Sequence, residues 1–347
     1  MNFVSVPRET ISQINKAGRV LRASPKDVWA LNLADRWRAC HAYPIHTFYS
    51  TLKIRLKKYA SDSIAAQRLK RMPTIIDKLK REHTMALALM QDIGGVRAVV
   101  NTVNSVRELE KLYLDKEKFE HELVIHKDYI GHPKTDGYRG VHLIYRYKNK
   151  RAKAYNGLLL ELQLRTRLQH NWATAVETMS TFLGQRLKFR QGEAPWRKFF
   201  VATSAAFAHL EKCNPPPGYE NISKEETFAM VTKLDRELKA LEQMQGIAVV
   251  TKNIHTGGSR AGSSYHLIIL NSVDKQVTVQ SYSRTQIQQA NRDYIAYEKK
   301  AANGEPIEPV LVSAGNLMEL KKAYPSFFLD VRPFVGAVTT IKSQSSV

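Results

Sequence analysis

The chain has 347 residues, of which 43% are apolar, enough to bury the cores of two ordinary domains and to exclude a disordered protein. No apolar run approaches the ~18 residues of a membrane helix, the N-terminus lacks a secretion pattern, and the two cysteines, Cys40 and Cys213, exclude a disulfide framework and suit a reducing cytoplasm. The formal charge of +21 is lopsided: residues 1–210 hold 37 basic and 18 acidic side chains and the remainder 16 and 14, so the first part carries a field suited to a polyanion such as a nucleotide or RNA.

Ser24, Pro25 and Asp27 read as a helix start, with proline in the first turn; helical texture then runs to about Tyr59, broken at Pro44. A second helix is expected from Asp62 to Glu82, kinked or broken at Pro73. Strands are expected at Val96–Val100, Leu123–Lys127, Val141–Tyr147 and Leu158–Arg165, with a helix over 104–118 and further helices after Thr166. Strands mixed with helices imply an α/β or α+β sheet core. The stretch from Cys213 to Tyr219 has three prolines and a glycine, and reads as the linker between a domain spanning 1–212 and a smaller α/β module spanning 220–347. In that module we expect a helix over Lys224–Gln243, strands near 247–252, 264–270 and 276–281, and a hairpin turn at Asn271–Lys275. A helix over Arg284–Ala302, a strand at Val310–Val312, a helix over Ala314–Ala323 and a frayed polar tail from Lys342 complete it.

Four segments of the basic half bear chemistry. Arg68, Lys70, Arg71, Lys78 and Lys80 crowd one stretch, which suits either a polyphosphate or a solvated basic helix face. Asp92 leads through Gly94 and Gly95 into an apolar strand; a carboxylate there can meet a cation and phosphate, or simply make a turn. The loop from Lys127 to His142 is dense in cations and aromatics, including Lys134, Asp136 and Tyr138. A base stacked on Tyr138 would gain roughly 1–3 kcal/mol, although Asp136 and Gly137 also suit an ordinary hairpin loop. Alternation over 160–165 puts Glu161, Gln163 and Arg165 on one strand face and Leu160, Leu162 and Leu164 on the other.

In their order and spacing these four segments resemble the RelA/SpoT alarmone-synthetase family, over about residues 45–190. The resemblance implies a nucleotidyltransferase-like mixed sheet flanked by helices, and transfer of the β,γ-pyrophosphate of ATP to a 3′-hydroxyl with release of AMP. By motif position, Asp92 and Glu161 would ligate Mg²⁺, with Glu161 also orienting or deprotonating the attacking hydroxyl. Arg68 and Arg97 would sandwich the adenine, and Lys70, Lys78 and Lys80 would bind the ATP phosphates. Tyr138 would stack on the acceptor base, while Lys134, Asp136, His142, Gln163 and Arg165 would contact the acceptor or its phosphates. Mg²⁺ takes one or two carboxylates plus phosphate and water, and charge neutralisation dominates such transfers. The His-Asp metal pair of the family's hydrolases is absent ahead of the motifs, so no alarmone hydrolysis is expected.

The chain departs from the family pattern at Arg71 and Gly140, where serine is usual, and at Asp136, where asparagine is usual. An acidic group at 136 opposes a phosphate but accepts from a base amino group, so the acceptor's identity turns on it. Residues 220–347 match neither the regulatory domains of long family members nor the short tail of small ones. One toxic branch pyrophosphorylates the tRNA 3′ end, and some of its members carry a fused antitoxin that senses phage. Tyr294 and Tyr297 are similar to a blocking Tyr-x-x-Tyr motif of that branch, and also to any tyrosine pair one turn apart on a helix. The expectation is a tRNA pyrophosphokinase restrained by its own C-terminal half, with a phage protein as trigger. The alternatives are a small synthetase making (p)ppGpp from ATP and GDP or GTP, and a catalytically inactive RNA-binding regulator.

Overall fold

The computed structural model describes residues 3–59, 62–182, 194–250, 254–257, 263–271, 273–274, 276–313, 328 and 330–344. It opens with α1 (Ile11–Ala23), unforeseen in the sequence, whose start is closed by a capping box between Thr10 and Gln13. In α2 (Val28–Ala39) the cap is Asp27, which accepts the Ala30 N–H. Pro44 lies inside the first turn of α3 (Ala42–Tyr59), where a missing N–H costs nothing, so the break falls just before it.

The helix expected over 62–82 is a strand followed by a helix: β1 (Ile64–Leu69) and α4 (Met72–Arg81), with Pro73 starting α4 rather than kinking it. The β1 segment has little β-branching. It is extended because it pairs with strands on both sides, and that pairing overrides local propensity. The next elements fall close to expectation: β2 (Gly94–Val100), α5 (Val103–Leu114), β3 (Glu122–Asp128), β4 (Val141–Arg146), β5 (Leu159–Thr166), α6 (Arg167–Phe182) and α7 (Ala194–Glu211).

Beyond the prolines come α8 (Lys224–Leu238), α9 (Ala240–Val250), β6 (Ile254–Gly257), β7 (Ser263–Asn271), β8 (Gln276–Ser283), α10 (Ile287–Ala302), β9 (Ile307–Ser313) and α11 (Arg332–Gln344). The strand expected near 247–252 is helical through Val250, and residues 251 and 252 lie outside the described residues. The helix expected over Ala314–Ala323 lies outside the described residues. Lys342 to Gln344 are not frayed but close α11, where Lys342 pairs with Asp235 of α8.

Among the described residues one mixed sheet of nine strands, ordered β3-β4-β5-β2-β1-β9-β7-β8-β6, runs through both halves. The β2–β5 and β6–β8 pairs are parallel. Helices α1 to α5 cover one face of the first five strands, burying Leu160, Leu162 and Leu164 with Val96 and Ala98. A second core joins residues on either side of the linker: Trp172, Phe200 and Phe207 pack with Phe228, Val310 and Phe334.

A buried polar knot fastens α10 to the N-terminal helices. Arg38, 3% exposed, donates to the Tyr294 hydroxyl (2.9 Å) and pairs with Glu298 (3.1 Å). Glu298 also accepts the Met72 N–H at 2.9 Å, placing a carboxylate at the start of α4. Glu298→Ala should therefore cost about 3 kcal/mol, the low end for breaking a buried ion pair because Asp35 still holds Arg38. Urea unfolding measures this, and a loss below ~1 kcal/mol would put the knot in the class of exposed pairs.

His41 is 1% exposed, its Nδ1 lies 2.8 Å from the Trp37 carbonyl, and burial pulls its pKa down to about 4. The unfolded chain thus binds the proton first, so stability is full above ~6.5 and falls as pH drops toward 4, by up to roughly 3 kcal/mol. Urea midpoints across this window should slope in the wild type and flatten in His41→Leu.

Candidate active site

The register of four strands assembles the site on the face opposite the leucines. On β5, Glu161, Gln163 and Arg165 alternate with Leu160, Leu162 and Leu164, as expected. His142 on β4 and Arg97 on β2 stand opposite Gln163 on its two sides. Gly95 stands between Glu161 and Arg68, and its lack of a side chain leaves the floor open.

Glu161 is gripped at both oxygens, by His142 Nδ1 at 2.7 Å and by Gln163 Nε2 at 2.7 Å. With Nδ1 donating, His142 Nε2 accepts from the Tyr138 hydroxyl, which in turn accepts from Arg165 Nη2 at 2.6 Å. The Gln163 carbonyl accepts from Arg97 and Arg165, each at 3.1 Å. This closed network fixes the carboxylate before any ligand arrives. Burial opposes the charge on Glu161, but His142 and Gln163 outweigh it and hold the carboxyl far below the usual range.

Asp92 sits just ahead of β2. Lys70 Nζ approaches it at 2.7 Å and Lys78 Nζ at 3.0 Å. Burial and the charge of Glu161 push its pKa up, but the two ammoniums prevail and keep it ionised. Burial also pulls Lys70 below the usual lysine range, against the pull of Asp92.

Asp92 and Glu161 both line a cavity of about 180 Å³, together with Arg68, Arg97, His142 and Gln163. Those last four also line a cavity of about 690 Å³, which extends to Lys134, Asp136, Tyr138 and Arg165. Among the described residues no three His, Cys, Asp or Glu side chains cluster as a metal site. Two carboxylates beside a space for phosphate and water fit Mg²⁺, which seldom takes an all-protein cage.

Asp136 spends one oxygen on the Tyr138 N–H (3.0 Å), the turn that asparagine would also make. Gly137 has φ +90°, and a Cβ there would lie 2.9 Å from the Trp172 ring, so the loop requires glycine. Lys134 and Arg165 lie within cation–π reach of the Tyr138 ring, at 5.2 and 5.0 Å from its centre.

Twelve of the thirteen site residues expected from the sequence converge on this constellation, directly or through Asp92. Lys80 does not: two positions beyond Lys78 it points about 200° away around α4 and lines a different cavity. Tyr294 and Tyr297 line neither site cavity. Tyr294 is held by Arg38, and Tyr297 accepts from Gln280. Trp172, Glu177, Arg197, Lys198 and Tyr219 also line the larger cavity, and none of them stood out as a site residue in the sequence. The adjacent basic pair in an otherwise apolar helix was the one available signal, at Arg197 and Lys198.

Residues 67–182 match the family described as the region found in RelA / SpoT proteins. The chain contains a RelA/SpoT region. All the converging site residues lie within this RelA/SpoT region. The chain is 26% identical over 149 residues to the GTP pyrophosphokinase YjbM of Bacillus subtilis, covering 40% of this chain and 70% of that protein. It is 31% identical over 134 residues to an uncharacterized protein of Mycobacterium bovis, covering 38% of this chain and less than half (44%) of that one. Among solved structures, small alarmone synthetase 2 of B. subtilis aligns with a TM-score of 0.44 and 20% identity, over 50% of this chain and 92% of that one. Small alarmone synthetase 1 of the same organism, bound to its product pppGpp, aligns with a TM-score of 0.42 and 24% identity, over 51% and 93%. No helix among the described residues is long and apolar enough to cross a membrane.

Proposed function

We propose that the protein is a Mg²⁺-dependent pyrophosphokinase of RelA/SpoT type, and that its acceptor is the 3′-hydroxyl of tRNA. One observation carries the reading: the ionised pair Asp92 and Glu161 shares a cavity, Lys70 and Lys78 stand against Asp92 at its side, and the space opens into a larger cavity rich in cations and aromatics. The acceptor oxygen attacks the β-phosphorus of ATP, the bond from the α-phosphate oxygen to that phosphorus breaks, AMP leaves, and the hydroxyl proton passes to solvent water. Asp92 and Glu161 would hold Mg²⁺, which supplies charge neutralisation on the phosphates. Lys70 and Lys78 would exchange part of their contact with Asp92 for those phosphates.

Both oxygens of Glu161 already accept hydrogen bonds, from His142 and Gln163, so we assign it orientation of the hydroxyl rather than storage of its proton. The concentration of charge in residues 1–210 favours a nucleic-acid end over a free nucleotide. A second reading, alarmone synthesis from GDP or GTP, is favoured by Lys134, Tyr138 and His142 standing together on the cavity wall. In the fused toxin–antitoxin setting, the C-terminal half would restrain the enzyme through its grip on α4 at Glu298, not by plugging the site with tyrosines.

The test is to incubate the full chain, both wild type and the Glu298→Gln variant that loosens α10 from α4, with γ-labelled ATP and Mg²⁺ and to offer deacylated tRNA, GDP and GTP separately. Label on tRNA alone is expected. Label on GDP or GTP alone transfers the assignment to the second reading, and label on none with folded protein overturns both.

A further inference from the structure

The cavity that Lys80 lines has no part in the chemistry above. It measures about 500 Å³ and lies between the start of α2, α4 and the connection from α10 to β9. Pro25, Ile76, Ile307 and Pro309 give it apolar walls. Its three carboxylates are already neutralised: Asp77 by Arg81 (3.1 Å), Glu298 by Arg38 (3.1 Å) and Glu308 by Arg71 (2.8 Å). Lys26 and Lys80 are exposed at its edge, and among the described residues no carboxylate pairs with either. An apolar pocket of this size with two uncompensated ammoniums is complementary to an amphipathic anion.

We propose that this cavity binds an organic phosphate, an apolar body of nucleoside or acyl size carrying a phosphate that Lys26 and Lys80 receive. Helix α4 gives the site its function. It presents Ile76, Asp77 and Lys80 to this cavity, and from another side Lys78 to Asp92. An occupant also touches Arg71, Glu298 and Glu308, through which the C-terminal half holds the start of α4. A ligand here therefore bears on the helix that presents Lys78 to the nucleotide. This coupling rests on the proposed function, whereas the binding does not.

The test uses the full chain with its catalytic cavity loaded with a non-hydrolysable ATP analogue. Calorimetric titrations are run with GMP, with dodecyl phosphate and with inorganic phosphate. We expect saturable binding of GMP or dodecyl phosphate, with inorganic phosphate at least ~10-fold weaker. Lys26→Glu, at an exposed position, and Ile307→Trp, which fills the pocket, should each weaken that binding by about 10-fold or more. The organic phosphate that binds separates a nucleotide from a lipid-like source. Absence of binding by both, or affinity unchanged in both variants, overturns the proposal even if pyrophosphate transfer is confirmed. Binding lost in the variants sustains it even if transfer is never observed. The bound phosphate should also shift the KM for ATP in the wild type and not in Lys26→Glu; an unshifted KM would overturn the coupling.

Discussion

Glu161→Gln is expected to lower pyrophosphate transfer by about 10²–10³-fold or more, with the fold intact. The substitution keeps the side chain's size and its place on β5. It removes the charge that draws His142 and Gln163 into one network, and it presents an amide nitrogen where a cation needs an oxygen. Asp92→Asn should fall comparably for a related reason: Lys70 and Lys78 lose the charge that gathers them. The two variants should differ in their kinetic signature. Asp92→Asn acts on the donor side, so its KM for ATP should move with kcat, whereas Glu161→Gln should act mainly on kcat. Single-turnover transfer from labelled ATP by protein with wild-type circular dichroism measures both. A near wild-type rate in either variant would mean that the carboxylate pair is not the metal site.

Most of the site was legible because its logic is one-dimensional. Strand alternation fixes Glu161, Gln163 and Arg165 to one face, and strand entry fixes Asp92 near their end of the sheet. What the sequence withheld depends on neighbours far along the chain. The segment around Ala66 is poor in strand-forming residues and becomes β1 because β2 and β9 flank it. Lys78 and Lys80 look alike in a basic run, yet helical rotation sends them to different cavities. Glu298 is one acid in a mixed-charge helix until Arg38 and the Met72 N–H, more than two hundred residues away, meet it. Asp136 looked chemical in the sequence, and its first duty in the fold is to close the turn before Tyr138.

Because the two halves share a core, cutting between them should have a second large effect. Residues 1–212 alone are expected not to form a stable monomer, although the proline-rich linker reads as a natural place to cut. Removing residues 213–347 strips α6 and α7 of the side chains that cover Trp172, Phe200 and Phe207, among them Phe228 and Phe334. Each large side chain so exposed forgoes about 1.5–3 kcal/mol of burial. Loss of a few already rivals the ~5–15 kcal/mol by which whole domains are stable. Strand β1 would also lose β9 and become an open sheet edge, a template for association. The fragment should therefore elute as aggregate and melt without a cooperative transition, and any drop in its activity would report unfolding rather than a missing regulator. A soluble, monomeric fragment with a sharp melt would show instead that the two cores separate cleanly at the linker. Single contact variants such as Glu298→Gln are then the sounder probe of restraint, because they loosen α10 from α4 while the shared core stays covered.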